Sequence, residues 1–232
     1  MKQEQSKRIQ TSVLNAAEKR VLVWLAQRQP RWVTSDGLTA IGVAGAIIVA
    51  LGYILSNYHI GWLWLASLGF VINWYGDSLD GTLARVRNRQ RPVYGYYIDH
   101  TVDCINEFAI FIGIGLSGLM HFQLALLILA LYFMLTINVS INAHLKKEFR
   151  LTYAKLGPTE FRILAIFANT VLALAPSIAH FSLVFYLFGK KITLMSLDIF
   201  GILVFLALLV IYFSTITKDA RDYAQMDPMP GE

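Results

Sequence analysis

Four aspartates stand at spacings that bring carboxylates together. Asp77 and Asp80 are three residues apart, and Asp99 and Asp103 are four apart. Either spacing puts both side chains on one face of a helix. The stretch from Arg85 to Tyr94 is basic and contains Pro92, which marks it as a connection that turns the chain back. Both pairs then lie near the same end of consecutive helices and can converge. Four carboxylates in an apolar setting repel one another unless cations neutralise them, and hard divalent ions with oxygen ligands suit that role. Asp77, Gly81 and Ala84 share one stripe, while Gly95 lies one turn before Asp99, so the space between the pairs is kept free of side chains. Arg85 lies one turn beyond Gly81, where its planar donors can meet phosphate oxygens.

The elements that must position these residues are apolar. Of the 232 residues, 56% are hydrophobic and 15% charged, and the apolar ones gather in long runs. A membrane span takes roughly 20 residues, so the sequence predicts an all-α integral membrane protein with six transmembrane helices preceded by an amphipathic interfacial helix. The amphipathic helix covers 11–28, where Val13, Leu14, Ala17, Val21, Trp24 and Leu25 alternate with charged residues and Pro30 ends the run. The spans are expected at 38–56, 61–81, 95–119, 121–146, 161–188 with a kink at Pro176, and 194–215. A short, loosely ordered tail follows Lys218. The whole reads as one membrane domain over 1–232, with the bundle at about 38–216. Gly42, Gly45 and Gly52 in the first span suit close helix approach, and Asn138, Asn142 and His144 give the fourth a polar face.

The formal charge is +5. With a cytoplasmic amino terminus, all Lys and Arg residues except Lys190 and Lys191 face the cytoplasm, and both termini and the site lie on that side. The expected setting is the inner membrane of a prokaryote. No base-contacting module appears, so nucleic acid is not an expected partner. Cys104 is the sole cysteine, which rules out an intrachain disulfide and a thiolate metal cluster. Residues 1–20 hold no apolar stretch of signal-peptide type.

Asp77-Ser-Leu-Asp80-Gly81-Thr-Leu-Ala84-Arg85, nine residues, then Gly95-Tyr-Tyr-Ile-Asp99-His-Thr-Val-Asp103 resembles the signature of the CDP-alcohol phosphotransferases. The resemblance implies that Asp77, Asp80 and Asp99 coordinate two divalent ions, magnesium or manganese. Asp103 joins the metal site and serves as general base. Gly81, Ala84, Arg85 and Gly95, with Asp80, match positions that admit or hold a cytidine diphosphate group, and Thr39 resembles a position near the nucleotide. The implied activity is phosphatidyl transfer from CDP-diacylglycerol to a small polar alcohol with release of CMP, in phospholipid synthesis. An alternative within the family donates from CDP-choline or CDP-ethanolamine to diacylglycerol. The expected partners are the bilayer, the CDP-linked donor, the alcohol acceptor and, optionally, a second copy as a homodimer.

Lys146, Lys147, Arg150, Lys155 and Arg162 cluster around one connection and form a candidate acceptor or phosphate site. Gly157-Pro158-Thr159-Glu160-Phe161-Arg162 resembles, with different spacing, a segment of inositol-phosphate transferring relatives. His100 points about 100 degrees around the helix from Asp99, away from a ligand role. No Ser-His-Asp arrangement argues for a covalent route. A cation transporter could also use intramembrane aspartates, but it has no need of the Gly81, Ala84, Arg85 and Gly95 pattern.

Overall fold

The computed structural model describes residues 7–9, 14–145, 148–150, 157–187 and 189–229. A short strand β1 (Lys7–Ile9) precedes α1 (Asn15–Arg28) and α2 (Ser35–Leu55). A 3-10 turn (Ile60–Trp62) leads into α3 (Leu63–Val86), followed by α4 (Pro92–Gly115) and α5 (Phe122–Leu145). Then come β2 (Glu148–Arg150), α6 (Pro158–Leu174), a single turn α7 (Pro176–Ala179), β3 (Ser182–Leu187), β4 (Lys190–Met195) and α8 (Ser196–Met226). β1 pairs in parallel with β2, and β3 with β4 as an antiparallel hairpin in which Ser182 faces Met195 and Leu187 faces Lys190.

Local chemistry sets the helix starts. Thr34 caps α2, its hydroxyl accepting from the Gly37 N–H at 3.0 Å. Pro92 opens α4, where its missing N–H costs nothing. The Glu160 carboxylate accepts from the Gly157 N–H at 2.9 Å at the start of α6.

The tightest packing is between α2 and α3. A Cβ on Gly45 would overlap the Asn73 backbone, lying 2.7 Å from its Cα, and one on Gly52 would overlap Ala66. Gly69 and Gly76 of α3 return the same closeness toward Val49 and Gly42. The core gathers around this seam: Ala46, Val49 and Tyr53 meet Phe70 and the α4 residues Ile110, Phe111 and Ile114. The buried Tyr53 hydroxyl donates to Asn169 of α6 at 2.8 Å, tying α6 to the same seam. α1 packs Leu22 and Ala26 against Leu38, Leu79 and Leu83, and leaves Val21 and Trp24 exposed. Of the amphipathic run read in the sequence, Thr11 and Val13 lie outside the described residues.

The six-span, all-helical expectation does not hold. Among the described residues there are eight helices and four strands, and three helices are long and apolar enough to cross a membrane: α2, α5 and α8. These three make the chain a multi-pass membrane protein. α3 has the length, but Asn73, Trp74, Tyr75, Asp77 and Asp80 interrupt its apolar character, and α4 carries Asp99, Asp103 and Glu107. The expected fifth span breaks at Leu174, after 17 helical residues, because Pro176 disfavours a helical residue before it. From Ser182 the chain then runs as the β3–β4 hairpin, rich in branched and aromatic residues, with Gly189 at φ +76° in its turn. At the other end α8 does not stop near residue 215. It continues through Met226, so Lys218 and Arg221 ride on helix rather than on a loose tail.

Candidate active site

Asp77 sits in the second half of α3 and Asp99 and Asp103 in the first half of α4. Carboxylate oxygens of these three residues all lie within 4.8 Å of one another, an arrangement that can hold a divalent metal ion. Repulsion among three such charges is on the order of a few kcal/mol per pair at an effective dielectric near 20. The all-oxygen donor set fits a hard divalent cation. One counter-charge is already present: the Arg162 guanidinium donates to Asp77 Oδ2 at 2.6 Å and, through Nε, to Asn73 Oδ1 at 3.0 Å. Asn73 in turn donates to the Gly42 carbonyl at 2.9 Å, so the guanidinium is seated on the helix seam.

Asp80 is not part of this triad. Its Oδ2 accepts from the Thr39 hydroxyl at 2.6 Å, and its Oδ1 accepts from the Gly81 N–H. The fourth aspartate therefore joins the start of α2 to the end of α3. Three further contacts hold the same corner. The Ser35 hydroxyl donates to the Asp80 carbonyl at 3.0 Å, Arg91 pairs with Asp36 at 2.8 Å, and Arg87 donates to the carbonyls of Gln29, Pro30 and Val33.

Gly81 and Gly95 differ from the seam glycines. A Cβ on Gly81 would meet only the Arg85 side chain at ordinary contact distance, and one on Gly95 would meet nothing within 4 Å. Ala84 is half-buried on the same turn, and Arg85 donates to the Thr82 hydroxyl at 2.9 Å. His100 directs Nδ1 toward the Tyr96 carbonyl at 2.8 Å and stacks on the Tyr96 ring.

Of the basic group read as an acceptor site, Arg162 is placed on Asp77, and Arg150 falls in β2. Lys146, Lys147 and Lys155 lie outside the described residues. Several site residues were not singled out in the sequence. Asn73 steers Arg162. Glu18 accepts from Trp74 at 2.8 Å and from Thr159 at 2.6 Å, linking α1, α3 and α6. Glu107 continues the Asp99 and Asp103 stripe by four more residues, and that spacing was the signal that could have found it. Asn138 and Asn142 do form a polar face, and both donate to Asp219 of α8.

The sequence profile of the CDP-alcohol phosphatidyltransferases matches residues 32–213. Among curated proteins, the chain is 37% identical over 84 residues to a phosphatidylinositol phosphate synthase of Cutibacterium acnes, covering 36% of this chain and 38% of that protein. It is 30% identical over 97 residues to an archaetidylinositol phosphate synthase of Pyrococcus horikoshii, covering 42% and 48%. It is also 31% identical over 98 residues to a cholinephosphotransferase 1 of Danio rerio, covering 40% and 25%. The matched stretch thus spans less than half the length of each of these relatives. A profile match that runs from ahead of α2 into α8 and takes in every residue of the acidic triad establishes that the chain belongs to the CDP-alcohol phosphatidyltransferase family.

Proposed function

We propose that the chain, as a single membrane domain, transfers a phosphatidyl group from CDP-diacylglycerol to a small polar alcohol and releases CMP. The observation that carries this reading is the convergence of Asp77, Asp99 and Asp103 within 4.8 Å at the positions of the family signature. These residues, with Asp80 on their flank, would hold two divalent ions, magnesium or manganese. When bound, such ions supply charge neutralisation and polarisation of the donor pyrophosphate.

The chain's own residues do the rest. Asp103 takes the proton of the acceptor hydroxyl as that oxygen bonds to the phosphatidyl phosphorus and the bond from phosphorus to the CMP oxygen breaks. Gly81, Ala84 and Gly95 leave room for the cytidine diphosphate group. Thr39 fixes Asp80 toward it, and Arg85 offers donors to phosphate oxygens. Arg162, read as part of the basic acceptor group, stands beside the triad on Asp77.

The site end faces the cytoplasm in this reading, with Lys190 and Lys191 on the opposite side. Support comes from the fold: β4 leads directly to Asp198, whose carboxylate binds the His121 N–H at 2.8 Å, beyond the end of α4 remote from Asp99. Labelling single introduced cysteines in intact cells with an impermeant thiol reagent, after Cys104 is replaced, should mark position 190 and spare position 89. The reverse pattern would invert the orientation.

The similarity to a cholinephosphotransferase favours a second reading, transfer of a phospho-alcohol from its CDP derivative to diacylglycerol. A matrix of donors against acceptors on purified protein, read as metal-dependent CMP release, separates the two. CMP from CDP-diacylglycerol and a soluble alcohol is the expected result, and CMP only with CDP-choline or CDP-ethanolamine plus diacylglycerol would replace it. Cation flux without CMP would overturn both.

A further inference from the structure

One turn beyond Asp103 along α4 lie two polar side chains that the transfer chemistry does not use. Asn106 is 4% exposed, and its Oδ1 has no hydrogen-bond partner among the described residues. Glu107 is half-buried, and its Oε2 is likewise without one. They follow Asp103 by three and four residues, which continues the aspartate stripe along one helix face. Glu107 faces the site: Asp77 and Arg162 are the charges that act on it across the cleft, and the Tyr132 phenol of α5 interacts with its carboxyl. A buried polar atom without a partner is destabilising unless a ligand supplies the missing hydrogen bond.

The Asn106 amide oxygen is an acceptor, and Glu107 keeps acceptor capacity in either protonation state, so a group that donates satisfies both side chains. The donor substrate's pyrophosphate oxygens only accept, so they do not satisfy the Asn106 amide oxygen. An acceptor alcohol has the right chemistry. With its reacting hydroxyl at Asp103, a second donor on a neighbouring carbon reaches toward the next helical turn, about 5.4 Å along the axis.

We propose that Asn106 and Glu107 bind the non-reacting donor groups of the acceptor, so that the site selects a small alcohol carrying a further hydroxyl or ammonium beside the reacting one. This rests on the transferase reading and deepens it. The shared chemistry is a hydrogen-bond donor adjacent to the nucleophile, and it has two sources, a neutral polyol or an amino alcohol.

The test uses purified full-length protein with manganese and CDP-diacylglycerol, and measures acceptor KM from CMP release. Glycerol is compared with 1-propanol, and ethanolamine with ethanol. In the unaltered protein at least one pair should differ by about 10- to 100-fold in favour of the member with the second donor. Asn106→Leu and Glu107→Leu should shrink that ratio toward one while the donor KM and manganese binding, read by electron paramagnetic resonance, stay as they were. Glu107→Gln keeps a carbonyl acceptor but not the charge. Retained selectivity with Gln identifies the neutral polyol as the source, and lost selectivity the ammonium. Ratios near one in the unaltered protein would overturn the assignment even if the variants failed to fold, as would ratios unchanged in well-folded variants. Absence of CMP with every acceptor would instead fall on the transferase reading itself.

Discussion

α3 uses glycine in two opposite ways on its two sides. Toward α2, Gly69 and Gly76 let backbones touch, and any side chain would collide with main-chain atoms that have nowhere to move. Toward the cleft it shares with α4, Gly81 faces a flexible arginine, and Gly95 across the connection faces open space. The first pair is explained by packing within the protein. The second pair is not, which suits the donor-admitting role proposed for it. The same contrast holds for charge. On the α2–α3 seam the Asn73 amide donates to the Gly42 carbonyl and the Thr39 hydroxyl to Asp80, whereas the cleft gathers Asp77, Asp99 and Asp103, with the Arg162 guanidinium on Asp77. A rigid seam on one face of α3 thus holds a strained, charged arrangement on the other.

The contrast breaks most completely at the triad. Asp77→Asn or Asp99→Asn should abolish CMP release, a loss beyond about 10⁴-fold, and weaken manganese binding; thermal stability in detergent should hold or rise with Asp99→Asn, which removes a repulsive charge, and fall with Asp77→Asn, which also removes the counter-charge of Arg162. Normal turnover at ordinary metal concentration would sink the metal reading. Asp103→Asn should cost about 10² to 10⁴-fold in single-turnover CMP formation, the usual worth of general-base assistance. Donor affinity should change little. A parallel loss of donor affinity would assign Asp103 to metal binding instead of proton transfer.

The sequence made the site more legible than the membrane architecture. Asp77, Asp99 and Asp103 meet because helical spacing and one connection suffice to bring them together, and both are local properties. Asp80 stands to the side of the triad because the Thr39 hydroxyl, 41 residues earlier in the chain, donates to its carboxylate, and such pairing depends on how α2 and α3 dock. Arg162 was legible as a basic residue but not as the counter-ion of Asp77, for the same reason. Where the sequence reading places an interfacial helix at 11–28 and a span at 38–56, the described helices run Asn15–Arg28 and Ser35–Leu55. The fifth span failed because hydropathy counts apolar residues regardless of backbone. Residues 182–187 are apolar enough for either structure, and Pro176 followed by a Gly189 turn makes them a hairpin.

On the seam, Gly45→Ala probes the packing side of the comparison. The added Cβ falls against the Asn73 backbone, and overpacking of this kind costs about 1 to 3 kcal/mol. Thermal stability in detergent should fall clearly. Activity per folded molecule should also fall, because Asn73 seats Arg162, but by less than with a triad substitution. An unchanged melting temperature would mean that α2 and α3 separate more easily than their contact suggests.

The smallest expected effect is the most discriminating. Gly95 occupies the first turns of α4, its N–H donating to the Arg91 carbonyl at 2.7 Å, and an alanine there meets no atom within 4 Å. Alanine in a helix is favoured over glycine by about 1 kcal/mol, so Gly95→Ala should hold or slightly raise the melting temperature. If packing were the only constraint, every functional readout would follow stability and stay constant. If the open space admits the cytidine diphosphate group, the methyl should instead raise the donor KM several-fold while leaving the acceptor KM and manganese binding alone. A protein that is equally stable or more stable, yet poorer at binding donor, is an outcome that no seam glycine can produce. A donor KM equal to that of the unaltered chain would place the nucleotide elsewhere and remove Gly95 from the site.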